Sequence, residues 1–345
     1  MMLPIVDYDY HLPPDLIAQT PLEPRDHSRL LVVQRETDQL EHRHFYDVGR
    51  YLRPGDVLVA NDSRVLPARL YGRKASGGRT EALLLRQLDP LRWEALVKGK
   101  VAAGMALVFG DDIPHAATLP AVVEELLPSG SRILRFDAPI NQRLAEFGVM
   151  PLPPYITAPL ENPERYQTVY SAATGSAAAP TAGLHWTPAL IERVQALGVT
   201  WATVTLHVGL DTFRPVQTDN ALDHTMHSEW YDLPAATAAA INQARANGGR
   251  VIAVGTTSVR VLETVGRNQP AGSIEPEAGW TDIFIYPPYQ FHVVEGLITN
   301  FHLPRSTLLL LVSALAGRER IMRAYAEAVA ERYRFFSFGD AMLII

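Results

Sequence analysis

Arg250-Val-Ile-Ala-Val-Gly-Thr-Thr-Ser-Val-Arg260 decides the fold. Val251 to Val254 is an unbroken apolar run rich in β-branched residues, the pattern of a strand buried on both faces. Gly255-Thr-Thr-Ser258 then turns the chain, and Val259 to Val265 reads as a helix. The turn is neither a Walker A loop nor a Gly-x-Gly-x-x-Gly fingerprint. Working outward, the same alternation continues. Val199 to Val208 reads as a strand, Ala235 to Ala246 as a helix ended by Gly248-Gly249, and Thr281 to Ile285 as a strand. Leu308 to Ala316 is a helix capped by Ser306 or Thr307, Glu319 to Arg332 a last amphipathic helix, and Ala341 to Ile345 a last strand. Strands alternating with helices indicate an α/β domain, with ligands beyond the strand ends.

Upstream, Pro180-Thr-Ala-Gly-Leu-His-Trp-Thr-Pro188 leads into another helix. Thr187 is a hydroxyl N-cap, Pro188 suits the first helical position, and Gly198 stops the helix. His185 and Gly183 therefore fall in a turn just before a helix N-terminus, where free N–H groups favour an anionic ligand group. A helix start with small residues for tight packing explains the same pattern.

Before residue 70 there are a short helical turn at Asp15 to Gln19 and strands at Arg29 to Val33, Asp56 to Ala60 and Arg64 to Leu70. His42 and His44 face one side and read as solvated. Between 70 and 137 five short strand candidates recur: Thr80 to Arg86, Arg92 to Val97, Met105 to Phe109, Ala121 to Glu125 and Arg132 to Phe136. That spacing suggests a small antiparallel sheet or barrel. Asn141 to Phe147 closes it as a short helix, and Pro151-Leu-Pro-Pro154 is a stiff linker. The expected organisation is a larger mixed α/β domain, 1–65 and 151–345, with an inserted small antiparallel β-barrel domain, 66–150. Arg64, Arg69, Arg73, Lys74 and their neighbours make the barrel's first part basic, fit either for a phosphate backbone or for a solvated surface.

Composition narrows the classes. The chain has 345 residues, a net charge of -6, 47% hydrophobic residues and no cysteine. The charge argues against a general nucleic-acid coat. The missing cysteines exclude disulfides, thiol nucleophiles and thiolate metal sites. Leu308 to Leu315 is too short to span a bilayer, and the N-terminus lacks signal-peptide features. A soluble cytoplasmic enzyme is expected.

Polar groups gather in loops, where chemistry usually sits. They are Leu206 to Phe213 with His207, His224 to Glu229 with His227, Thr299 to Ser306 with Asn300 and His302, and Phe338 to Ala341 with Asp340. His224, His227 and Glu229 lack the His-Glu-x-x-His frame, so no metal is expected. No Gly-x-Ser-x-Gly elbow occurs.

Ordered segments then carry a resemblance along nearly the whole chain. They include Asp7-Tyr-Asp-Tyr-His-Leu-Pro13, Pro54-Gly-Asp-Val-Leu-Val-Ala-Asn-Asp62, Pro151-Leu-Pro-Pro-Tyr-Ile156 and Ala179-Pro-Thr-Ala-Gly-Leu-His185. Ala253-Val-Gly-Thr-Thr-Ser-Val-Arg260, Leu297-Ile-Thr-Asn-Phe-His-Leu-Pro-Arg-Ser-Thr307 and Tyr333-Arg-Phe-Phe-Ser-Phe-Gly-Asp-Ala-Met-Leu343 continue it. The chain resembles the S-adenosylmethionine:tRNA ribosyltransferase-isomerase family of queuosine biosynthesis. It departs from that pattern at Ala158, Trp186, Asp211, Pro288 and Glu295.

The resemblance implies transfer and isomerisation of the ribosyl group of S-adenosylmethionine onto 7-aminomethyl-7-deazaguanine at a tRNA wobble position. Epoxyqueuosine in tRNA forms, and adenine and methionine leave. S-adenosylmethionine is a consumed substrate, no other cofactor is implied, and the partner is the tRNA; the protein is expected to be a monomer and not membrane-bound. Such chemistry needs a base, an acid and a desolvated pocket. His185 or His302 is the expected acid or base and Glu229 or Asp340 the base or ammonium partner, with His207 and His227 as further candidates. Thr181, Gly183, Thr256, Thr257, Ser258, Arg260, Asp282 and Asn300 are expected to bind substrate, Tyr155, Tyr170 or Trp186 to stack on a base, and Arg64, Arg69, Arg73 and Lys74 to meet tRNA phosphates. The competing readings are an S-adenosylmethionine-dependent RNA methyltransferase, a metal-dependent hydrolase using His224 and His227, and a non-catalytic RNA-binding protein.

Overall fold

Val57–Asn61, Val251–Val254 and Gly296–Asn300 lie side by side in the middle of a nine-stranded sheet, and every residue in them is buried. The computed structural model describes residues 2–110, 118–209, 216, 218–269 and 272–345. In spatial order the sheet runs Glu277–Thr281, Glu229–Leu233, Thr200–Leu206, Val57–Asn61, Val251–Val254, Gly296–Asn300, Ala341–Ile344, Arg29–Val33 and Leu40–His44. The four strands from Thr200–Leu206 to Gly296–Asn300 are parallel. Their carboxyl ends therefore open on one edge, where α/β proteins place ligands.

Burial on both faces explains the apolar runs. On one face Leu58, Ala60, Ile252, Val254, Ile298 and Leu343 pack against Phe45, Trp186, Leu190 and Val194. The alternate residues Val57, Val59, Val251, Ala253 and Leu297 are also fully buried. Helices Ala235–Ala246 and Thr256–Asn268 pack against the sheet.

The chain divides into two units, Met1–Ser63 with Pro154–Ala173 and Ala179–Ile345, and Arg64–Pro153 with Thr174–Ala178. In the second, Arg69–Lys74, Arg79–Gln87, Arg92–Val97, Arg132–Phe136, Leu119–Leu126 and Ala106–Phe109 pair in that order, and the last returns to the first. They form a closed six-stranded antiparallel barrel, filled by Leu70, Leu84, Trp93, Phe109, Leu134 and Phe136.

Three expectations need correction. The strand expected over Thr281 to Ile285 lies at Glu277–Thr281, in register with Glu229–Leu233. Ile283 and Ile285 are buried without joining a ladder, which produces the same alternation. The segment Arg64 to Leu70 breaks into Ser63–Val65 and Arg69–Lys74, because Pro67 has no N–H to pair. The helix after Gly255 begins at Thr256, not Val259: Gly255 takes φ 91, and this left-handed turn feeds the helix at once.

Candidate functional site

A pocket of about 710 Å³, counting the solvent at its open mouth, lies beyond the carboxyl ends of the central parallel strands. Thr256 and Thr257 reach it from Val251–Val254, Asn300, Phe301 and His302 from Gly296–Asn300, and Val208 from Thr200–Leu206. Tyr155, Thr181, Ser306, Phe336 and Ser337 complete its wall. Two helix N-termini open on it, those of Thr256–Asn268 and of Thr307–Ala316, the second capped by Ser306 Oγ accepting from Leu309 N at 3.2 Å. Thr257 Oγ1 is buried with no hydrogen-bond partner among the described residues. Phe336 sits at φ 68, a strained conformation for a bulky residue that is held where it lines the pocket.

Asn300 organises one wall. Its Nδ2 donates to Phe336 O at 3.1 Å and to His185 Nε2 at 3.0 Å, and its Oδ1 accepts from Thr181 Oγ1 at 3.1 Å. Since Nε2 of His185 accepts, Nδ1 carries the proton and donates to Ser28 Oγ at 2.7 Å. His185 thus touches the pocket only through Asn300. Its ring lines a second cavity of about 280 Å³, with Arg25, Ser28, Arg165 and Ser337. Burial, helped by the charges of Arg334 and Arg25, pushes its pKa down to about 3.

His302 lines the main pocket directly. Its backbone N donates to Tyr325 Oη at 2.9 Å, its carbonyl accepts from Tyr10 Oη, and Nε2 meets Thr299 Oγ1 at 3.0 Å. Burial lowers its pKa to about 3. Neither histidine is an imidazolium at neutral pH, so neither is a ready-made general acid. In the unfolded chain both protonate near pH 6.5. Between there and pH 3 the unfolded state binds more protons, so stability is complete above about pH 6.5 and declines on acidification. Each group sets a slope of about 1.4 kcal/mol per pH unit. Urea midpoints taken from neutral to about pH 5 are expected to fall, and His302→Gln to fall less steeply.

A second cluster adjoins Val208. Glu229 is 3% exposed and Arg260 5%. Arg260 Nη1 donates to Glu229 Oε2, and Arg260 Nη2 to Thr281 O at 3.3 Å. Glu229 Oε1 accepts from Gly209 N at 2.8 Å and lies 2.9 Å from His227 Nε2. Burial pushes the Glu229 pKa up, but the Arg260 charge and these bonds outweigh it and hold it below the usual range. Glu229 is therefore an ionised anchor for His227, not a free base.

The other expected residues scatter. Ser258 is fully buried and donates to Val254 O at 2.9 Å, so it faces the core instead of a ligand. Arg260 is taken up by Glu229. Trp186 is in the core, edge-on to Phe45 at 5.2 Å, and Tyr170 packs against Trp201 at 5.1 Å; neither lines the pocket. Asp340 is a clamp, accepting from Arg29 N at 2.8 Å and Arg334 N at 2.7 Å, and burial raises its pKa despite these bonds. Asp282 is exposed and lines neither cavity. In the barrel, Arg69 pairs with Glu81 at 2.7 Å and Lys74 Nζ donates to Lys100 O at 2.8 Å, while Arg73 is exposed and Arg64 half-buried. Asp211 lies outside the described residues. Glu295, another departure, accepts from Val251 N at 3.0 Å.

Gly183 is buried, and a Cβ there would stand 2.1 Å from Tyr170 Oη and 2.7 Å from Thr168 Cγ2. Gly183→Ala is expected to cost about 1–3 kcal/mol, read as a lower urea midpoint. Sequence reasoning missed Phe336, Ser337 and Thr299. Two of these sit in the Tyr333–Leu343 segment that carried the resemblance, where Asp340 drew the attention.

The family described as "Queuosine biosynthesis protein" matches residues 5–344. A relative from Desulforamulus reducens, named S-adenosylmethionine:tRNA ribosyltransferase-isomerase, is 56% identical over 344 residues, covering 98% of this chain and 99% of its own. One from Symbiobacterium thermophilum with the same name is 57% identical over 344 residues, with coverage of 98% and 99%. The crystal structure of the S-adenosylmethionine tRNA ribosyltransferase from Thermotoga maritima is similar at a TM-score of 0.57 and 44% identity, covering 98% of this chain and all of that one. The chain belongs to the queuosine biosynthesis protein family.

Proposed function

We infer that this protein is an enzyme that transfers and isomerises the ribosyl group of S-adenosylmethionine onto 7-aminomethyl-7-deazaguanine at the wobble position of tRNA. Epoxyqueuosine-tRNA forms, with release of adenine and methionine. The observation that carries the reading is the end-to-end likeness, at 56–57% identity, to relatives named for this reaction.

The pocket's chemistry fits. The methionine carboxylate suits the N-terminus of Thr256–Asn268, where Thr257 Oγ1 awaits a partner. Tyr155 and Phe336, with ring centroids 4.8 Å apart, offer a face for adenine or the modified base. The sulfonium acidifies its neighbouring C–H bonds, and the acceptor amine must be neutral to attack, so both steps need a base. His227, beside the pocket and held by Glu229, fills that need, and His302 lines the pocket as a neutral ring. His185 positions Asn300. S-adenosylmethionine is consumed, and the reading needs no further cofactor. The protein would act as a monomer alongside its tRNA in the cytoplasm; no helix among the described residues is long and apolar enough to cross a membrane.

The test is a product assay. With S-adenosylmethionine and tRNA bearing the aminomethyl base, mass spectrometry is expected to find free adenine and free methionine, and neither with unmodified tRNA. S-adenosylhomocysteine in their place would make it a methyltransferase.

A further inference from the structure

We propose that His207, Trp230 and Trp280 form a stacking platform for an unpaired RNA base that neighbours the one entering the pocket. The proposal deepens the functional reading above and rests on it.

The platform follows from the pleat of three strands. Glu229–Leu233 is paired between Thr200–Leu206 and Glu277–Thr281, the last being the sheet's edge. Side chains alternate across a strand. Glu229, Tyr231 and Leu233 are buried on one face, so Trp230 and Asp232 stand on the other. Trp230 lies directly opposite Trp280. His207 follows the end of Thr200–Leu206 and stacks on Trp230, with centroids 5.3 Å apart and planes 23° apart. It is fixed there by its N donating to Trp230 O at 3.0 Å and by Ser63 Oγ at 3.0 Å from Nδ1. Trp280 is 56% exposed, more than any other large aromatic among the described residues.

The row starts one residue from the pocket: Val208, which lines it, follows His207 in the chain. The rings step outward from that wall to the sheet edge at about 5 Å per strand.

The surroundings select a base over other occupants. Asp232 shares a face with Trp230, and the exposed Asp282 follows Trp280 by two residues. They repel phosphates, so an RNA backbone must run elsewhere with its bases turned inward, as in a splayed loop. A protein partner would need a contiguous apolar patch. Among the described residues, Trp280 alone on this edge is a large, exposed apolar side chain. One ring face is enough for a base. A target base drawn into a pocket leaves its neighbour unstacked, and a ring platform offsets that loss.

The experiment uses the full chain and an RNA stem–loop carrying 2-aminopurine beside 7-aminomethyl-7-deazaguanine at the target position, at one fixed salt concentration. Trp280→Ala is expected to weaken RNA binding about tenfold or more, the usual effect of losing one base–aromatic stack. Trp280→Phe is expected to stay near the parent, and both variants to bind S-adenosylmethionine as the parent does. The parent should quench 2-aminopurine and Trp280→Ala should not. Unchanged RNA affinity in Trp280→Ala overturns the platform and leaves the functional reading standing. Loss of self-association in sedimentation, with RNA binding intact, overturns it in favour of a contact between copies. A parent that binds no RNA overturns the platform and the functional reading together.

Discussion

His227→Ala is expected to lower kcat by about 10²–10⁴-fold, the range for loss of a positioned acid–base group. The expectation comes from comparing the four candidate histidines. His185 is buried, bonded at both ring nitrogens and separated from the pocket by Asn300. His302 is buried, with its ring on Thr299. His207 is stacked on Trp230. The His227 side chain is 21% exposed and has a carboxylate orienter, Glu229, whose own charge is held by Arg260. With Glu229 ionised, Nε2 of His227 donates to it, and Nδ1 becomes the nitrogen that takes a proton. A base whose tautomer is set by a third group is the arrangement that activates amines and hydroxyls elsewhere. Turnover of His227→Ala within about tenfold of the parent would sink the assignment. His185→Asn, which acts through Asn300, should raise KM more than it lowers kcat.

Much of this architecture is written in local pattern. The runs Val57 to Ala60 and Val251 to Val254 read as buried strands because both faces are covered, and they are. Thr187-Pro188 marks a helix start, and Thr187 Oγ1 does accept from Leu190 N at 3.1 Å. Leu40–His44 and Glu229–Leu233 escaped, because polar side chains on an edge or a half-open face hide the alternation. Gly296–Asn300 escaped because its carboxyl end carries Thr299 and Asn300 into the pocket and reads as loop. Site residues were legible by type but not by direction. Nothing in Thr256-Thr257-Ser258 says that the helix turns Ser258 inward. Nor does Asp340 reveal in sequence that two backbone N–H groups occupy it. For Asp340 one of those two donors, Arg29, comes from the far end of the chain.

Arg260→Met is expected to destabilise the fold by about 3–5 kcal/mol, more than a lost packing contact alone would. The reason is the charge left behind. Glu229 is 3% exposed, and without Arg260 its carboxylate loses its buried counter-charge while keeping the bonds from Gly209 N and His227. Burial then dominates, and the folded-state pKa of Glu229 rises above its unfolded value. A group with a raised folded pKa contributes its stability at low pH and loses it as pH rises through the folded value. The deficit of Arg260→Met should therefore be smaller near pH 5 than near pH 8, opposite in sign to the acid-linked loss from His185 and His302. Adding Glu229→Gln removes the orphaned charge, so the double variant should be more stable than Arg260→Met at neutral pH. Urea unfolding of the parent, both single variants and the double variant closes that cycle. If Arg260→Met falls within about 1 kcal/mol of the parent, or the double variant is the least stable of the four, the pair is not a buried charge anchor. The same change should slow turnover, because Glu229 can no longer hold His227. The two effects separate on the double variant: stability returns toward the parent, whereas kcat stays low because a neutral amide in place of the Glu229 carboxylate cannot support a charge on His227.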